Sequence, residues 1–113
     1  QEVEGVKLVC GSMDDADADQ LKTAVDTLAE RIGSGVVALG SARDGKVIFV
    51  IKVSADLTGK AHAGNLVREV AKIAGGGGGG RPDFAQAGGK DPGKLSEALD
   101  AVPELLRAQV SSR

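Results

Sequence analysis

The chain has 113 residues, 42% of them apolar and 27% charged, with a formal net charge of −2. That length supports one hydrophobic core and not two, and the mixture is that of a soluble globular domain spanning residues 1–113. The slightly acidic balance argues against a protein that grips nucleic acid through charge alone, and two aromatic residues, Phe49 and Phe84, leave little for stacking exposed bases.

No apolar segment approaches the length of a membrane span, and no charged-then-apolar leader is present, so no membrane partner is expected. The first residue is Gln1 and not Met, as expected of a piece excised from a longer protein. A single cysteine, Cys10, can form no internal disulfide and sits in an apolar run, which fits a buried small hydrophobe in a reducing, cytoplasmic setting.

Residues 6–11 form a nearly continuous apolar run, which predicts a strand buried on both faces. Asp17 or Asp19 then caps a helix in which Leu21, Ala24, Val25, Leu28, Ala29 and Ile32 recur at three-and-four spacing, with Gly33 as its stop. Residues 1–30 hold eight acids against Lys7 and Lys22, so the rest of the chain is basic in balance. Acids in the first helical turn oppose the positive end of the helix dipole, which accounts for part of that asymmetry.

Two β-rich runs follow, at residues 35–41 and 46–54, and Asp44-Gly45 between them is a type I′ hairpin signal. A helix is predicted over residues 61–74, with Ala63, Leu66, Val67, Val70, Ile73 and Ala74 on one stripe. Lys60, Arg68 and Lys72 lie off that stripe. Residues 84–88 suit a strand of small residues, Asp91-Pro92 opens a last helix, and Pro103 interrupts it ahead of a short fraying tail. The order β, α, β, β, α, β, α gives an α/β domain with a mixed sheet of about four strands and flanking helices.

Between the second helix and the small-residue strand stand six consecutive glycines, Gly75 to Gly80, followed by Arg81-Pro82-Asp83-Phe84-Ala85-Gln86-Ala87-Gly88-Gly89. Glycine loses more backbone freedom on folding than any other residue, so the run predicts a loop, whose N–H groups can converge on an anionic oxygen. As a bare run it would suit a flexible linker, but the patterned continuation has no place in one. Because the run leaves a helix C-terminus and lacks a Gly-Lys-Ser/Thr ending, it is neither a P-loop nor a dinucleotide fingerprint.

Residues 78–89 closely resemble the signature near the C-terminus of alanyl-tRNA synthetases, in the DHHA1-type domain related to the C-terminal part of DHH-type phosphoesterases. His62-Ala63-Gly64-Asn65-Leu66-Val67 and Glu69-Val70-Ala71-Lys72 share that resemblance. Family members often carry Lys where this chain has Gly77, which leaves this loop one positive charge poorer.

A catalytic constellation is absent: His62 is the lone histidine, expected to cap or pack, and the dispersed acids supply no metal cluster. The resemblance therefore implies a non-catalytic module of an alanine-tRNA ligase, with no cofactor of its own. It implies binding to the outer corner of tRNA, alanine-specific in the parent enzyme, in a way that links aminoacylation with editing, and contact with other domains of the same synthetase. Arg81 is the first choice for a phosphate contact, with Lys60, Arg68, Lys72 and Lys90 as further candidates and Gly78, Gly79, Gly80, Gly88 and Gly89 shaping the loop. The alternatives are a dimerisation or scaffold module, acting as a homodimer, and the substrate-binding half of a DHH-type phosphoesterase. In that last class a His follows the glycines, where this chain has Arg81.

Overall fold

In the computed structural model, which describes residues 2–111, one mixed sheet of six strands is sandwiched between two helical layers. The strands are β1 (Glu2–Val3), β2 (Val6–Asp14), β3 (Val36–Arg43), β4 (Lys46–Val53), β5 (Gly77–Gly80) and β6 (Phe84–Gly89). They lie in the order β1-β2-β3-β4-β6-β5; β2 and β3 are parallel, and every other neighbouring pair is antiparallel. The helices are α1 (Ala18–Ile32), α2 (Ala63–Ile73), α3 (Leu95–Asp100) and α4 (Val102–Ser111).

The α/β class and mixed sheet agree with expectation, while the strand count is six and not about four. One extra strand is the two-residue β1, too short to leave a period in the sequence. The other is β5, made of Gly77 to Gly80, and here the expected loop is replaced by an edge strand. Only Gly75 in the run has a positive φ, of 75°, so the consecutive left-handed residues of an anion nest are not formed. Pairing with β6 and contact with α2 supply the order that glycine propensity lacks.

Alternation along the strands divides the core. Leu21 and Val25 of α1 pack with Val37, Leu39 and Val50 on one face. On the other face Val36, Ala38, Phe49, Ile51, Ala85 and Ala87 meet Leu66, Val67 and Val70 of α2 and Ala98, Val102 and Leu106 of the last two helices. Burial on both faces belongs to β3 and not to β2, whose Lys7 is exposed and whose Val9 and Cys10 are half-buried. The reason is position: α1 lies mainly over β3 and β4.

Local signals set the element ends. Asp17 caps α1 in a reciprocal box, its carboxylate accepting from Gln20 N–H at 2.8 Å while Asp17 N–H donates to Gln20 Oε1 at 2.9 Å. Asp44 and Gly45 have φ of 53° and 76°, as a type I′ turn requires. His62 caps α2, Nδ1 accepting from Asn65 N–H at 3.0 Å. Pro103 marks the expected interruption, with α3 ending at Asp100 and Pro103 in the first turn of α4, where a missing N–H costs nothing, but the expected frayed tail is a ten-residue helix.

Candidate nucleic-acid interface

The glycines of β5 and β6 fall into two sets by the direction a side chain would take. A Cβ on Gly80 would lie 2.7 Å from Ala85 Cβ, and one on Gly89 would lie 2.7 Å from both Ala74 O and Val47 Cγ2. Gly78 is blocked in the same way, 2.7 Å from Ala87 Cα. These residues face α2, which approaches so closely that a Cβ on Gly64 would meet Gly80 O at 2.5 Å. Their lack of side chains is a packing requirement.

Gly77, Gly79 and Gly88 face the other way and have no such requirement. A Cβ on Gly77 would meet nothing within 4 Å, one on Gly88 only Val47 O at 3.5 Å, and one on Gly79 only an Arg68 guanidinium nitrogen at 3.7 Å. Gly88 pairs with Gly77 on one side and with Ile48 on the other, so Ile48, Gly88 and Gly77 form one row across three strands. The next row is Val50, Gln86 and Gly79. Because α1 stops over β3 and β4, the β6–β5 part of this face is left uncovered, and at Gly77, Gly79 and Gly88 it presents bare peptide backbone, with the side chains of Gln86 and Phe84 beside them on β6.

Basic side chains surround that patch. Lys22 of α1 stands with Nζ 5.6 Å from the centroid of the Phe84 ring, at one end of β6. Arg68 reaches from α2 across the open edge of β5 to Gly79. At the opposite end the β4–β6 register, with Val47 opposite Gly89, carries Lys46 and Lys90 to the same side. A cleft of about 700 Å³ opens there, lined among others by Arg43, Lys46, Ile48, Gly77, Gly88 and Lys90. Its acids, Asp17 and Asp44, lie 3.7 and 3.8 Å from Arg43, which also approaches Asp15 at 3.6 Å. Neither Lys46 nor Lys90 has an ion-pair partner among the described residues.

The candidates drawn from the sequence are thus distributed over more than one surface. Arg68, Lys90, Gly79 and Gly88 meet at the bare face, whereas Gly78, Gly80 and Gly89 serve the α2 contact. Arg81 sits at the β5–β6 turn, about 13 Å of strand from Gly77, with its side chain 75% exposed and 3.5 Å from Asp83. Lys72 pairs with Glu69 at 3.0 Å on the exposed side of α2, and Lys60 precedes that helix beside His62. Lys22, Arg43 and Lys46 were not singled out by the sequence; the packing of α1 on the sheet brings Lys22 to Phe84, and the β3–β4 and β4–β6 pairings bring Arg43 and Lys46 to the glycines.

Among the described residues no group of three or more His, Cys, Asp or Glu side chains could hold a metal ion, and no helix is long and apolar enough to cross a membrane. The Cys10 thiol donates to Leu99 O at 3.3 Å, and burial, aided by the nearby Asp100 charge, pushes its pKa up. That makes it a poor nucleophile.

The DHHA1 domain family model matches residues 5–108. The chain is 51% identical over 112 residues to the alanine-tRNA ligase of Natranaerobius thermophilus and 53% identical over 110 residues to that of Alkaliphilus oremlandii. Those matches cover 98% and 96% of this chain but only 13% and 12% of the relatives, so it spans about an eighth of their length. Its fold superposes on the C-Ala domain of the Aquifex aeolicus alanyl-tRNA synthetase with a TM-score of 0.86 and 37% identity, covering 95% of this chain and 96% of that one. A DHH-domain member of the s1p family of ribosomal proteins shares the fold alone, at a TM-score of 0.56 and 18% identity. With the family model covering nearly the whole length, and with sequence and fold both matching the C-terminal domain of alanyl-tRNA synthetases, the chain belongs to the DHHA1 domain family.

Proposed function

We propose that the chain is the non-catalytic, tRNA-contacting C-terminal module of an alanine-tRNA ligase. In this role it holds the outer corner of the folded tRNA in the cytoplasm, so that the acceptor end can be served by both the aminoacylating and the editing parts of the parent enzyme. The observation that carries the proposal is the bare Ile48–Gly88–Gly77 face with Lys22, Lys46, Arg68 and Lys90 around it. A net charge of −2 makes general adhesion to RNA unfavourable, yet this one face offers phosphate-binding cations beside backbone that no side chain screens. Such contacts recognise the shape of a folded RNA more than its sequence.

Arg81, Lys60 and Lys72 extend the basic surface around the α2 side of the sheet edge and serve as peripheral phosphate contacts. Titration of isotope-labelled chain with an alanine tRNA transcript, followed by backbone amide shifts, tests the assignment. The expected result is a contiguous set of shifts at Lys46, Ile48, Arg68, Gly77, Gly79 and Lys90. Shifts confined to α1 and β1 would contradict it, and absence of binding at low salt, together with self-association on sedimentation, would favour a dimerisation or scaffold module.

A further inference from the structure

The cleft at the Lys90 end of the bare face has a size and lining that a phosphate backbone sliding past does not require. Its volume of about 700 Å³ lies within the roughly 300–1,000 Å³ of small-molecule sites. The floor is the Ile48–Gly88–Gly77 row, and its two glycines have Cβ directions opening into space. Gly88, in the interior of β6 and paired on both sides, has no internal steric cause, and a glycine so placed marks a position where something outside comes close to the backbone; Gly77 opens the edge strand β5 beside it. The walls differ in charge. Arg43 is neutralised by Asp15, Asp17 and Asp44, whereas Lys46 and Lys90 hold two charges that no carboxylate among the described residues answers.

We propose that this cleft is a mononucleotide subsite, taking one nucleoside 5′-phosphate with its ring flat on the Ile48–Gly88–Gly77 row and its phosphate between Lys46 and Lys90. The inference rests on the RNA-binding reading above and sharpens it. A flat ring needs a surface free of side chains, which Gly88 and Gly77 provide, and the half-buried Ile48 adds an apolar edge. The phosphate needs cations not already paired, which are Lys46 and Lys90. The same chemistry can come from a nucleotide of a bound RNA strand or from a free nucleotide.

The test is amide-shift titration of the chain with AMP, GMP, CMP and UMP, beside adenosine and inorganic phosphate. Mononucleotides are expected to move Ile48, Gly77, Gly88 and Lys90 saturably, and inorganic phosphate only the lysines. Gly88→Leu, whose Cβ has only Val47 O within 4 Å, at 3.5 Å, projects into the cleft and is expected to abolish the mononucleotide shifts; Gly77→Val, whose Cβ has no neighbour within 4 Å, does the same should Gly88→Leu fail to fold. Lys90→Gln weakens binding by about three-fold, the scale of one exposed charge pair. Mononucleotide shifts no larger than those of inorganic phosphate, or unchanged binding by a folded Gly88→Leu or Gly77→Val chain, would overturn the subsite. If tRNA still bound in that case, the tRNA reading would survive the loss; loss of tRNA binding alone, with mononucleotides still bound, would remove the tRNA reading instead. A drop in tRNA affinity in Gly88→Leu assigns the nucleotide to the RNA strand, and unchanged tRNA affinity with lost mononucleotide binding assigns it to free nucleotide.

Discussion

Gly77 and Gly88 stand directly opposite each other across β5 and β6, and neither lacks a side chain for any reason internal to the fold. Their neighbours Gly78, Gly80 and Gly89 point the other way into the α2 contact. One short glycine-rich hairpin therefore carries a packing face and an open face back to back.

The two faces respond oppositely to substitution. Gly89→Val drives methyl groups into Ala74 O and Val47 Cγ2 and is expected to lower stability by about 2 kcal/mol, a typical overpacking cost. Thermal unfolding of that variant is expected roughly 10 °C below wild type. Gly77→Ala, with open space around its Cβ, stays within about 0.5 kcal/mol of wild type. Equal melting of the two variants would remove the distinction between the faces.

Arg81 contributes to binding and not to folding. Its side chain is three-quarters exposed and its ion pair with Asp83 is long, at 3.5 Å, so Arg81→Ala is expected to change unfolding free energy by less than about 0.5 kcal/mol. Chemical denaturation measures this directly, and a markedly earlier midpoint would make Arg81 structural.

How much of this was legible in the sequence depends on the range of the interactions involved. The Asp17 cap, the Asp44-Gly45 turn, the α2 stripe and the DHHA1-type signature could be read because each lies within a few residues or one contiguous stretch. The β5 strand could not, because its four glycines have no β preference and are ordered by β6 and α2. The meeting of Lys46 with Lys90 was hidden for a related reason: 44 residues separate them, and only the Val47–Gly89 pairing brings them to one end of the sheet. Pro103 signalled the break between α3 and α4 but hid the helix that begins there, because a proline in a first turn looks, in sequence alone, like one that ends a helix.

Position 77 offers a gain-of-function test. A Cβ there meets no internal neighbour, and a flexible lysine stem can swing its charge to the rim of the cleft and leave open the floor that a branched valine covers, so Gly77→Lys is expected to add one phosphate contact without unfolding the domain. The log–log salt plot for tRNA binding should steepen by about 0.7 to 0.9, the release of one further counterion. Filter binding across a salt series reads this slope, and an unchanged slope would place the RNA away from the cleft.

Cys10 is expected to react slowly. Burial, with the Asp100 charge, holds its pKa above the ordinary thiol range, so the thiolate fraction at pH 8 is smaller than in a free thiol. Reaction with a chromogenic disulfide should therefore lag behind that of glutathione and accelerate in denaturant. Equal rates in the folded chain would show the thiol to be open.

The most direct test of the central claim compares folded tRNA with a linear RNA of equal length, using wild type and the Arg68→Ala/Lys90→Ala double variant over a salt series. The bare face with its basic surround predicts tighter binding to tRNA than to the linear RNA, and no sensitivity to the acceptor base pair that marks an alanine tRNA. It also predicts a salt slope shallower by roughly 1.5 to 2 in the double variant, as two phosphate contacts are lost. Equal affinity for both RNAs, with an unchanged slope in the double variant, would contradict the claim that this face holds the tRNA.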